Sequence, residues 1–214
     1  MTAISYRLMR AADLGSVPIG HMGTEGEVMD RIAAMGSAAV LAFDGDRHVG
    51  QLQFRAYQPG VRSPDSLWDP LYWMDFAGHH LGVPDRSLAV FCYHVGQLDE
   101  SDDRDPAYLG RGIGLRLLDE LVAWAAASGF GGIVAKATPS SRPIMGFTGG
   151  QPPSAYEERG FITGSSWVDE DLAAVVGERE LAPAGELPAA ATLAACVLTF
   201  GDGGNGAAST LERP

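Results

Sequence analysis

Between Tyr108 and Leu118 the chain reads YLGRGIGLRLL, with Gly110, Gly112 and Gly114 standing directly ahead of an apolar helical pattern. No other stretch constrains the fold as much. Glycine at the mouth of a helix costs backbone entropy. That cost is met either by a turn only glycine can make or by a ligand that must come close to the backbone. The helix that follows, IGLRLLDELVAWAAASG, is strongly amphipathic. Leu117, Leu118, Leu121, Trp124 and Ala125 form one stripe, Asp119 and Glu120 lie on the other side, and Ser128-Gly129 supplies the stop. Ahead of the glycines, Leu88–Val95 (LAVFCYHV) is apolar enough for a central strand.

Strand, loop, glycines and helix is the order of a phosphate-binding turn. A helix N-terminus offers N–H groups without helical partners and the positive end of a dipole. Glycines let those groups close around phosphate oxygens, and Arg111 adds a charged donor. A P-loop needs Lys and Ser or Thr after its last glycine; here Leu115 and Arg116 follow Gly114. A dinucleotide loop needs G-x-G-x-x-G, and its third glycine falls on Leu115 or Leu117, depending on the start. What remains is a single pyrophosphate cradle on one helix, or a tight turn that needs glycine for geometry alone.

The rest of the chain alternates strand and helix signals. Ile4–Met9 reads as a first strand, followed by the turn-rich RAADLGSVPIGHMG. Glu25–Gly36 carries Val28, Ile32 and Met35 at helical spacing, with Gly36 as its stop. Ala38–Phe43, the turn Asp44-Gly45-Asp46 and a return strand through Val49, Leu52 and Phe54 form a hairpin. Gln58–Ser87 is a long insertion rich in aromatic residues, of the kind that is usually functional or mobile. Asp99–Asp105 (DESDDRD) is a charge-dense loop. GGIVAKA reads as a short buried strand, TPSSRPIMGFTGGQPP as a loop, SAYEERGF as a short helix and FITGSSWV as a further strand. Ala182–Pro188 reads as a connector, Ala191–Phe200 as the last strand, and residues 201–214 as a disordered tail.

Composition narrows the function classes. The 214 residues carry a formal net charge of −12, which argues against a general nucleic-acid binder. A negative field is compatible with a cationic small substrate. Cys92 and Cys196 belong to no metal-spaced set and read as buried, reduced thiols. His79 and His80 are adjacent and cannot both face one ion from a regular element, so no metal is expected there or elsewhere. The N-terminus has no apolar signal core and no run is long enough for a membrane span, which points to the cytoplasm and away from membrane partners.

The segments GRGIG, WAAASGF and AYEERGF, in that order with a strand between the last two, resemble the GNAT superfamily of acyl-CoA N-acyltransferases. The resemblance covers roughly residues 4–200 and is strongest over 88–161. It implies one α/β (α+β) domain over residues 1–200, with residues 58–87 and 168–190 as decorations. It implies a mixed central sheet of about seven strands, splayed between strands 4 and 5, with helices on both faces. Acetyl-CoA would be the cosubstrate, without a metal. Its pyrophosphate would rest on Leu109, Gly110, Arg111, Gly112, Ile113 and Gly114, and its pantetheine arm would lie along Cys92, Tyr93 and Val95. Two features depart from the family pattern. Leu109 stands where Gln or Arg is usual, and the five carboxylates of Asp99–Asp105 sit beside an anionic ligand and must point away from it.

The resemblance also implies an N-acetyltransferase acting on the primary amine of a small molecule, with a peptide or protein amine as an alternative acceptor. An inactive CoA-binding module on the same fold is the rival. Tyr156 would protonate the departing thiolate, or else simply cover the cofactor. No carboxylate stands on the Leu88–Val95 strand, and alternation would put Leu88, Val90, Cys92 and His94 on one face. His94 is the base candidate there; the alternatives are a histidine satisfied by polar neighbours, or a water relay to Asp99 or Glu100. Trp68, Tyr72 and Trp73 would wall a cationic acceptor, or else form a small core that pins the insertion. The last strand could pair within the chain or swap into a second copy, giving a homodimer.

Overall fold

The computed structural model describes residues 3–59, 76–79, 81–101 and 103–201. Seven strands form one sheet: β1 (Ile4–Leu8), β2 (Ala39–Asp44), β3 (Arg47–Ala56), β4 (Ser87–Val95), β5 (Gly132–Ala137), β6 (Ile162–Val168) and β7 (Thr192–Thr199). Their order is β1-β2-β3-β4-β5-β7-β6. All neighbours are antiparallel except β4 and β5. The helices are α1 (Glu25–Met35), α2 (Ile113–Ala127), α3 (Arg142–Thr148), α4 (Pro153–Glu157), α5 (Glu170–Glu178) and α6 (Leu187–Ala190). The expected mixed sheet with helices on both faces is what forms.

Period-two alternation decides which residues face which layer. Val40 and Ala42 pack with Leu117, Leu118 and Leu121 of α2, while Ala39 and Leu41 pack with Val28 of α1 on the opposite face. Tyr156 and Phe161 join the α2 side. Ile144 of α3, Leu172 and Val176 of α5, and Leu193 form a separate cluster. Leu193 and Ala195 alternate along β7 with Ala194 and Cys196 of the α2 cluster, which places α3, α5 and α6 on the face away from α2. The end of the long insertion contributes Phe76 to that same face, against Ala89, Val134 and Ala195.

Two regions depart from the sequence reading. The 142–148 stretch, expected as loop, is α3. The decoration expected over 168–190 contains α5 and α6, and their apolar residues meet α3 in one small core. The start of α5 carries a readable signal: Asp169 caps the Leu172 N–H at 2.9 Å, with Glu170 and Asp171 in the first turn.

The parallel pairing of β4 with β5 covers only Ser87–Ala89 against Gly132–Val134. Beyond it the strands separate, although β4 continues to Val95 and β5 to Ala137. The expected splay is present, and it is occupied by the chain itself. The Tyr93 N–H donates to Gly149 O at 2.8 Å, and the Thr138 N–H donates to Gln151 O at 2.9 Å. The strap Gly149–Gln151 therefore runs between the diverging strands, from α3 on one face to α4 on the other.

A bulge in β4 overturns the expected face assignment. Gln53 opposes Cys92 and Phe54 opposes Val90, which leaves Phe91 as the extra residue. One extra residue inverts the alternation. Leu88, Val90, Tyr93 and Val95 pack towards α2, while Cys92 and His94 turn to the other face beside Gln53 and Gln51. Leu88 and His94 do not share a face.

Candidate active site

At the mouth of α2 the three glycines have two different jobs. Gly110 and Gly112 have φ of 72° and 73°, the left-handed region, and a Cβ on either would meet nothing within 4 Å. Gly114 has ordinary helical geometry but packs tightly. A Cβ there would lie 3.1 Å from Gln151 Nε2 and 3.7 Å from both Tyr93 Cδ1 and Val95 Cγ2. The first two make an open turn; the third lets the helix press onto β4 and the strap. No side chain caps the helix N-terminus and no acidic residue stands in its first turn. Leu109 is half exposed, and the Arg111 guanidinium stacks over Tyr108 at 5.4 Å. Ile113 is buried and anchors the turn. Gly110 and Gly112 are exposed, so the turn is open at the helix mouth.

Three carboxylates of the acidic loop have hydrogen-bond partners close at hand. Asp105 accepts from the Ala107 N–H at 2.9 Å. Asp99 accepts from Ser101, whose hydrogen bonds hold its carboxyl below the usual range. Glu100 reaches the turn-rich segment after β1, accepting from the Ile19 N–H at 2.7 Å and the Gly20 N–H at 3.3 Å. Glu100 thus holds that loop in place, beside the His94 ring that Gly20 approaches.

Tyr156 lies at the other side of the strap, fully buried among Tyr93, Phe161 and the α2 core. Burial raises its phenol well above the ordinary value, and the neighbouring Tyr93 phenol adds to the rise. Tyr93 is raised too, by burial. Both phenols are neutral at physiological pH. Arg159 holds α4 to α2 through Asp119, with Nε to Oδ1 at 2.7 Å.

On the face away from α2 the bulge assembles a buried polar cluster. Gln51 and Gln53 of β3 and Cys92 and His94 of β4 are all at most 2% exposed. Gln51 Nε2 donates to Pro18 O at 2.9 Å and Gln53 Nε2 donates to Ile19 O at 3.0 Å, which draws the Pro18–Gly23 loop onto the sheet. Gly20 is glycine of necessity: its φ is 57°, and a Cβ would lie 2.7 Å from Gln53 Nε2. The loop brings the His21 ring edge-on to His94, with centroids 4.8 Å apart. Burial depresses the His94 imidazole to about 3, with the neighbouring His21 adding to the effect. A base that weak takes a proton poorly at neutral pH.

The fold brings most of the sequence-predicted residues together around the splay: Leu109–Gly114 at one end, Cys92, Tyr93, His94 and Val95 along β4, and Tyr156 beyond the strap. Trp68, Tyr72 and Trp73, expected at the acceptor, lie outside the described residues. Sequence reasoning missed His21, Gln51, Gln53 and the strap. The two glutamines carry a readable signal in VGQLQF, where polar residues alternate within an apolar strand.

No protein-family model matches the chain, and no curated protein matches its sequence. Solved structures do resemble it. A GNAT-family acetyltransferase from Streptococcus pneumoniae superposes with a TM-score of 0.51 at 13% identity, over 92% of this chain and 100% of that one. An N-acetyltransferase from Staphylococcus aureus gives 0.51 at 12% identity, over 92% and 99%. A NatC complex bound to Gag peptide and CoA gives 0.50 at 12% identity, over 94% and 99%. Strand order, the β4–β5 splay and these superpositions agree: the chain has the fold of the GNAT acetyltransferases.

Proposed function

We propose that this protein is an acyl-CoA-dependent N-acetyltransferase that moves an acetyl group from acetyl-CoA to the primary amine of a small molecule, by direct attack in a ternary complex. The observation that carries this reading is the open left-handed turn at Gly110 and Gly112, uncapped and free of acid, beside the β4–β5 divergence. Backbone N–H groups and the dipole of α2 would hold the pyrophosphate, with Arg111 within reach. The pantetheine arm would lie along Cys92–Val95, so the Gly149 O bond to the Tyr93 N–H must open to admit it. Opening the strap also uncovers Tyr156, because Pro152 and α4 follow directly on Gln151.

In the transfer the amine nitrogen forms a bond to the thioester carbonyl carbon and the carbon–sulfur bond breaks. The sulfur leaves with the electron pair and takes the proton of the Tyr156 hydroxyl. The phenolate recovers a proton, through water, from the nitrogen that has just been acylated. A phenol kept neutral by burial is in the right state to begin this exchange. Tyr156→Phe should lower turnover about a hundredfold or more, the usual scale for a positioned acid, with acetyl-CoA affinity unchanged. Unchanged turnover would remove Tyr156 from the mechanism. The substrate class is tested by release of CoA thiol across small amines and peptides: turnover with peptides alone would replace the small-molecule acceptor.

One observation favours a second reading. The strap occupies the groove the arm would need, as expected of a GNAT-fold module that no longer transfers. CoA binding without thiol release for any amine would establish that alternative.

A further inference from the structure

The β3–β4 face holds a side-chain set that acyl transfer leaves unused. One nitrogen each from His21 and His94 and the sulfur of Cys92 lie within 4.8 Å of one another. Cys92 and His94 are two apart on one strand, and only the bulge at Phe91 turns both to this face. His21 comes from the Pro18–Gly23 loop, which is pinned by Gln51, Gln53 and Glu100. His94 is 2% exposed, and its Nε2 is buried with no hydrogen-bond partner among the described residues. Such an atom in a core calls for an explanation. The side-chain carbonyls of Gln51 and Gln53 are likewise buried without partners, and both glutamines converge with His94 on Gly20.

We propose that His21, Cys92 and His94 form a binding site for one borderline-soft divalent cation of the zinc class. Two imidazoles and a thiolate are the donors such an ion prefers. Bonds of about 2.0–2.3 Å at tetrahedral angles set ligand atoms roughly 3.3–3.7 Å apart. Side-chain rotations on the order of 1 Å therefore close the set. Binding releases the Cys92 thiol proton; the neutral imidazoles give up none. Three protein ligands leave a fourth position to water. Bound metal would clamp the Pro18–Gly23 loop onto the sheet. This inference rests on the cluster's own geometry and stands whether or not acyl transfer is observed.

The test uses the full chain, stripped with a chelator and titrated first with Co²⁺ and then with Zn²⁺. The expected result is one Co²⁺ per chain with a thiolate-to-metal charge-transfer band, displaced stoichiometrically by Zn²⁺. Cys92→Ser should abolish that band and Cys196→Ser should keep it. His21→Gln lies on the loop and spares the core. Loss of an outer-shell partner alone weakens metal binding about ten- to a hundredfold, so losing this ligand should weaken Zn²⁺ at least about a hundredfold, with the apo melting temperature unchanged. Absence of Co²⁺ binding to the folded chain, a bound ion without the thiolate band, or affinity unaffected by His21→Gln would each overturn the site.

Discussion

His48 illustrates how burial of a single side chain ties the protein to pH. It is 5% exposed in β3, and burial depresses its imidazole from 6.5 to about 4. The unfolded chain binds the proton more tightly than the folded one, so its contribution to stability is complete above pH 6.5 and is lost as pH falls towards 4. The slope is about 1.4 kcal/mol per pH unit, on the order of 3 kcal/mol in all. His94, depressed to about 3, acts in the same direction. Urea midpoints at pH 7 and pH 4.5 should therefore differ markedly, and His48→Gln should remove roughly half of that difference. A variant as acid-sensitive as the parent would mean that His48 is not the titrating group. The glycines of the cradle separate at this same scale. Gly112→Ala meets no neighbour but must hold φ near 73°, which costs about 1–2 kcal/mol. Gly114→Ala gains helix propensity and asks only the flexible Gln151 amide to shift, so its melting temperature should fall less. A larger fall for Gly114→Ala would contradict this division of labour.

At the scale of elements, the strap and the β4 bulge decide what the site can do, and neither was legible in the sequence. A bulge is one extra residue in one strand, and LAVFCYHV alternates no differently for having it. Its consequence, Cys92 and His94 on the face opposite Leu88, appears only when the register with β3 is known. The strap was read as loop because its glycines mark turns without saying which gap they fill. By contrast α2, α1 with its Gly36 stop and the β2–β3 hairpin were legible, since their signals are local periodicity and turn chemistry. The helix α5 was legible in part, through the cap at Asp169. The strap also yields a prediction. Gly149 has φ of 59°, and a Cβ there would lie 2.5 Å from Cys92 Sγ. Gly149→Ala should loosen the strap by about 1–2 kcal/mol. If the pantetheine arm displaces the strap, acetyl-CoA affinity should rise by up to about tenfold, since each 1.4 kcal/mol is a factor of ten. Lower thermal stability with affinity unchanged would show that strap and arm do not compete.

Across the whole molecule, the sheet places three groups around one divergence: an open, uncapped glycine turn at the mouth of α2, neutral phenols, and buried nitrogen and sulfur donors on the far face. A net charge of −12 disfavours an anionic cosubstrate at long range, so on the proposed function the local geometry of the turn would have to carry its affinity. In the acidic loop Asp99, Asp105 and Glu100 accept from Ser101, Ala107 and the Ile19–Gly20 backbone. Among the described residues no helix is long and apolar enough to cross a membrane. The resemblance read from GRGIG and AYEERGF anticipated this architecture, because those segments mark the two sides of the splay. Trp68, Tyr72 and Trp73, expected from the sequence either to wall the acceptor or to form a small core, lie outside the described residues. On the proposed function the open turn at Gly110 and Gly112 would receive the pyrophosphate of acetyl-CoA. Calorimetric titration of the folded protein with acetyl-CoA, with NAD and ATP as controls, tests it most directly. Saturable binding at one site per chain, selective for acetyl-CoA, is expected; no heat of binding from a sample that melts cooperatively would leave the glycines as a turn alone.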